Sequence, residues 1–130
     1  MTYCLDTSIV VDLFRGNTFV SKKLDKIRAL YDVYISYITV CELFKGAFLH
    51  LKAKEKIEQV NDFLSYFEII DFDIPSCKEF GRLFKKLKDS GTLIPEFDLL
   101  IVALAKANNL ILITKDKKHF KDAGIKLEEW

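Results

Sequence analysis

Residues 96–114 read EFDLLIVALAKANNLILIT. Residues 96–108 predict a strongly apolar helix, with Pro95 standing where it should begin. Leu110-Ile111-Leu112-Ile113-Thr114 is a continuous apolar run, the pattern of a strand buried on both faces. A helix that feeds a parallel strand must run down to that strand's amino end. The start of this helix, with Asp98, therefore lies at the opposite, carboxyl edge of the sheet.

The same alternation extends through the chain. Tyr3-Cys4-Leu5-Asp6 reads as a short buried strand, and Thr7-Ser8 offers a cap for a helix carrying Ile9, Val10, Leu13 and Phe14. Residues 18–31 predict a second, amphipathic helix and Val33–Ser36 a second strand. A helix from about residue 38 carries Val40, Leu43, Phe44 and Ala47 on its apolar side, and another covers 54–66. Residues 68–72 predict a third strand, 75–89 a helix, and 127–130 a fifth strand at an edge. Strands alternating with helices imply a parallel sheet of four to five short strands between helical layers, in one domain spanning 1–130. Such sheets bind ligands beyond the carboxyl ends of their strands.

The chain has 130 residues, half of them hydrophobic, with eleven Phe and five Tyr. This is globular composition, sufficient for a core without disulfide or metal staples. The formal charge is +1, so any attraction for phosphate must come from local patches. Cys4, Cys41 and Cys77 form no ligand pattern and are expected to be small core residues. No basic-then-apolar leader opens the chain, and no apolar run approaches about 18 residues, so a cytoplasmic protein with no membrane partner is expected.

Four acids fall on one rim by topology. Asp6 ends the first strand. Asp116 lies two residues past the fourth. Glu42 sits in the first turns of the helix fed by the second strand, and Asp98 opens the helix of 96–108. Each has a plainer role open to it: Asp6 as a helix cap, Glu42 on a solvent face, Asp98 as a first-turn charge, Asp116 in a turn. Together they are harder to explain. Two charges about 5 Å apart at an effective dielectric near 20 repel by roughly 3 kcal/mol. A hard divalent cation such as Mg²⁺ or Mn²⁺ relieves that repulsion, and it activates water against a phosphodiester. In-line attack by water would leave 5′ phosphate and 3′ hydroxyl ends, and it does not use the 2′ hydroxyl.

Asp6-Thr7-Ser8 after an apolar strand, Glu42 in an apolar helix, Asp98-Leu-Leu-Ile-Val-Ala-Leu-Ala, and Thr114-Lys-Asp116-Lys-Lys-His-Phe120 resemble the successive signatures of PIN-domain nucleases. The chain most resembles the small VapC-type toxins of prokaryotic toxin–antitoxin pairs. The resemblance implies a three-layer α/β/α fold and a metal-dependent endoribonuclease. It makes Asp6, Glu42, Asp98 and Asp116 the catalytic, metal-binding quartet for Mg²⁺ or Mn²⁺. It gives Thr114 the task of orienting Asp116 or a water, and Thr7 or Ser8 a supporting hydrogen bond near Asp6. RNA as substrate, a cognate antitoxin and a homodimer follow from it too. Glu96 is an additional acid, either a further ligand or a favourable first-turn charge.

Lys115, Lys117, Lys118 and Lys121 border the expected pocket and are candidates for phosphate contacts, as is Arg15. His119 is near Asp116, and a packing or surface role is expected of it. Two alternatives stand beside the nuclease. One is a non-catalytic PIN-like module that binds RNA or protein. The other is a haloacid-dehalogenase-type phosphatase, which wants a second acid where Ser8 stands.

Overall fold

The computed structural model describes residues 1–130. Five strands, β1 (Thr2–Leu5), β2 (Asp32–Ser36), β3 (Glu68–Ile70), β4 (Ile111–Thr114) and β5 (Leu127–Glu129), form one sheet in the order β3-β2-β1-β4-β5. Every pairing is parallel. The helices are α1 (Thr7–Phe14), α2 (Thr18–Arg28), α3 (Tyr37–Leu49), α4 (Ala53–Leu64), α5 (Ile74–Asp89) and α6 (Glu96–Ala107), and a 3₁₀ segment spans Lys117–Ala123. No helix is long and apolar enough to cross a membrane.

Alternation of side chains along the strands divides the core in two. Tyr3, Leu5, Val33, Ile35 and Ile113 pack on one face with Ile9, Val10, Leu24, Leu43 and Val60 of α1 to α4. Cys4 and Leu112 point to the other, against Leu83 and Leu87 of α5 and the buried side of α6. The result is the expected three-layer arrangement. α6 is apolar nearly all round, and Ile101, Val102, Ala103, Leu104 and Ala105 are all fully buried. It stops in a Schellman turn: the Leu110 amide donates to the Ala105 carbonyl at 2.8 Å and the Asn109 amide to that of Lys106 at 3.2 Å. Asn109 takes the left-handed conformation this needs, with φ 52°. The chain then enters β4 from below.

Register aligns the rim. Leu5 pairs with Ile113, and Cys4 with Tyr34. Continuing both ladders brings Asp6 level with Thr114 and Ser36 at the carboxyl edge.

Three details differ from the sequence reading. Cys41 and Cys77 are exposed, and only Cys4 is buried. The buried positions of α3 are Thr39, Leu43 and Ala47, and those of α5 are Ser76, Leu83 and Leu87, so both cysteines fall off the inward stripe. β3 ends at Ile70 and not near residue 72, because its neighbour β2 leaves the ladder at the paired Ser36 to cap α3. Residues 117–123 coil into a 3₁₀ segment closed by Gly124, whose φ of 68° suits glycine.

Candidate active site

Asp6 caps α1 at the end of β1. Its backbone N–H donates to the Ile113 carbonyl at 2.8 Å, which extends the β1–β4 ladder by one bond. Its carboxylate accepts the Thr7 amide at 2.9 Å, the Thr114 hydroxyl at 2.9 Å and the Ser8 hydroxyl at 3.2 Å. It is only 6% exposed. Burial pushes this carboxyl above its ordinary value, the Thr114 hydroxyl pulls it down, and the Asp98 charge pushes it up again.

Glu42 lies half-buried on α3. Its Oε1 accepts the Thr7 hydroxyl at 2.7 Å. Because that hydroxyl donates to Glu42, it must accept from the Thr39 hydroxyl, 2.9 Å away. Thr39 in turn accepts from the Ser36 hydroxyl at 3.4 Å, while its amide donates to Ser36 at 3.1 Å. Ser36 and Thr39 are fully buried. A relay of three hydroxyls therefore runs from the end of β2 to the Glu42 carboxylate. Burial raises the Glu42 carboxyl, the Thr7 bond lowers it, and the charges of Asp98 and Asp6 raise it.

Asp98, in the first turn of α6, meets His119 with Oδ2 2.9 Å from Nε2. Asp116 caps the 3₁₀ segment and accepts the His119 amide at 3.2 Å. The Asp116 amide donates to the Thr114 hydroxyl at 3.2 Å. Thr114 thus ties Asp6 to the Asp116 backbone from beneath.

One cleft of about 400 Å³ is lined by Asp6, Glu42, Asp98 and Asp116, with Thr7, Ser8 and His119 beside them. Arg15, Lys115 and Asp12 also line it, and Lys115 Nζ is held 3.0 Å from Asp12 Oδ2. Glu96, Lys117, Lys118 and Lys121 are exposed and lie outside the lining. Ser36, Thr39, Asp12 and the His119–Asp98 contact were not singled out as site features from the sequence. The only signal for His119 was its place three residues after Asp116.

Five carboxylates thus face one cleft against the two permanent cations Arg15 and Lys115. A phosphodiester would be repelled from such a surface unless a cation intervened. No three of these side chains are gathered closely enough to hold an ion by themselves. The donors are all-oxygen carboxylates, and the neighbouring Asp98 charge raises the proton affinity of Asp6 and Glu42. Mg²⁺ commonly takes one or two such groups together with water and substrate phosphate, so the set fits a hard divalent cation.

A family model described as PIN domain matches residues 3–126. The chain is 35% identical over 127 residues to Ribonuclease VapC1 of Methanocaldococcus jannaschii, covering 95% of this chain and 84% of that one. It is 30% identical over 97 residues to the tRNA(fMet)-specific endonuclease VapC of Salmonella typhimurium, covering 74% of each. The crystal structure of VapBC2 from Rickettsia felis, bound to a DNA fragment from their promoter, matches with a TM-score of 0.93 at 32% identity. That match covers 100% of this chain and 99% of the other. The chain belongs to the PIN-domain family and, within it, to the VapC ribonucleases. This membership displaces the haloacid-dehalogenase-type phosphatase.

Proposed function

We propose that this chain is a metal-dependent endoribonuclease and the toxin of a toxin–antitoxin pair. The observation that carries the reading is the single cleft onto which Asp6, Glu42, Asp98 and Asp116 all open. Those four would hold Mg²⁺ or Mn²⁺ together with water and substrate phosphate. When bound, such an ion supplies an activated water and stabilises charge on the phosphodiester. The protein's own part is preorganisation. Thr114, Ser8 and the Thr7 amide fix the Asp6 carboxylate, and the Ser36–Thr39–Thr7 relay fixes Glu42. Lys115, steadied by Asp12, and Arg15 would receive phosphates of the RNA strand. Lys117, Lys118 and Lys121 would serve the strand farther from the cut.

RNA as substrate is supported by the ribonuclease and tRNA(fMet)-specific endonuclease relatives, because the chemistry alone does not distinguish RNA from DNA. The Rickettsia felis VapBC2 complex supports a cognate antitoxin as partner. Self-association is supported by the exposed side chains of Tyr37, Phe48 and Leu49 along α3. A soluble RNA substrate supports a cytoplasmic location on this reading.

Product-end analysis after digestion with Mg²⁺ tests the reaction. The expected ends are 5′ phosphate and 3′ hydroxyl. Ends carrying 2′,3′-cyclic phosphate would overturn hydrolysis by a metal-activated water. A folded, ion-loaded protein that binds RNA but never cuts it would favour the non-catalytic module.

A further inference from the structure

A second cavity adjoins the acid cleft. It has a volume of about 310 Å³ and lies between α1, α3 and α4. Val11, Arg15 and Glu42 line both spaces, so the two are neighbours. Its apolar lining comes from Phe14, Leu43, Ala47 and Val60. Its charge is mostly positive, from Arg15 and Lys56, and Glu42 is the single acid, at the junction with the cleft. Lys56 Nζ stands 6.0 Å from the Phe14 ring centroid, which sets a cation beside an aromatic ring.

Gly46 sharpens the picture. It lies inside α3 and lines this cavity. Glycine in a helix interior is destabilising relative to alanine. Nothing in the fold requires it here: a Cβ at Gly46 would meet no atom within 4 Å. The glycine is exposed, so the space beside it is open to solvent.

An aromatic and aliphatic lining suits a nucleobase, and neighbouring cations suit its phosphates. The volume is at the low end for ligand pockets, which run from roughly 300 to 1,000 Å³. That is room for one nucleotide and not for a folded element. We propose that this cavity receives one unpaired nucleotide of the RNA, adjacent to the scissile phosphate, and so sets a base preference at the cleavage site. The proposal rests on the ribonuclease reading.

Gly46→Leu tests it, because the added side chain enters open space and leaves the packing alone. Wild type and variant would digest a pool of randomised single-stranded RNA with Mg²⁺, and product ends would be sequenced. Circular dichroism and a urea midpoint would establish that the variant is folded. The expected result is a fall in kcat/KM of about tenfold at preferred sites, carried mainly by KM. Loss of one base–aromatic stack costs roughly five- to 150-fold. Base preference should flatten at one position beside the cut. Lys56→Ala should instead weaken RNA binding evenly across sequences and reduce its salt dependence by about one ion. A Gly46→Leu protein that cuts the same sites with wild-type constants overturns the pocket and leaves the nuclease standing. A wild type that cuts no RNA removes the ribonuclease reading and this proposal with it. Unchanged cutting together with lost binding of a cognate antitoxin would assign the cavity to a protein and overturn the nucleotide.

Discussion

Thr114 joins two distant parts of the chain through one hydroxyl, which donates to Asp6 and accepts the Asp116 amide. Thr114→Val keeps the shape and removes both bonds. A hydrogen bond to a charged group contributes about 1.5–3 kcal/mol, and a urea midpoint would read its loss. Thr39→Val should act similarly by cutting the relay to Glu42. Its fully buried position means that no solvent can replace the missing hydroxyl.

The raised carboxyls of Asp6 and Glu42 have a signed consequence. Unfolded, both titrate near about 4. Folded, burial and the neighbouring charges hold them higher. Across the window from about 4 to the raised folded values, the native state binds more protons than the unfolded one. Stability from these groups therefore declines as pH rises through that window, and above it the penalty is complete. In EDTA, wild type should lose stability relative to Asp6→Asn as pH rises from about 4, the unfolded value, toward neutrality. Urea midpoints across that range check this, and a difference that stays flat or runs the other way would contradict it. Asp6, Asp98 and Asp116 were legible in the sequence because each ends or opens an element, and Glu42 because it is a charge among apolar neighbours. Ser36 and Thr39 were not, because only tertiary packing buries them. A packing or surface role was expected of His119, and its contact with Asp98 was not legible because the two are distant in sequence.

At the scale of elements, helix faces decide what the cysteines do. Burial, with the nearby Asp6 charge, pushes the Cys4 thiol up to about 12, whereas Cys41 and Cys77 face outward. Alkylation of the native protein at mildly alkaline pH should label two thiols, and unfolding should expose the third. Mass spectrometry counts them. The sequence placed all three in the core because local apolar context does not say which side of a helix faces in. α6 invites a second test. Ile101→Ala should cost about 2–5 kcal/mol, since this side chain is fully buried in the cluster that α6 forms with the sheet and α5 and can collapse little around a void. The alternation of strands and helices was legible from periodicity alone. Element ends were less so, as β3 shows: its length depends on where its neighbour leaves the ladder.

At the scale of the whole molecule, a formal charge of +1 conceals a strongly acidic cleft. The parallel order β3-β2-β1-β4-β5 puts β1 at the centre, so the ends of β1, β2 and β4 and the start of α6 meet at one edge. Topology, and not sequence proximity, assembles the acids there. The adjacency of that cleft and the cavity beside Gly46 was not legible, since it depends on how α4 packs across α3.

The most direct test is cleavage of a labelled single-stranded RNA by wild type and Asp6→Asn, each with Mg²⁺ or Mn²⁺ and with EDTA. Cutting by the wild type that requires the ion, and that Asp6→Asn abolishes while remaining folded, is the predicted result. Cutting that persists in EDTA, or that survives loss of the Asp6 carboxylate, would contradict the metal-dependent acid cleft as the seat of catalysis.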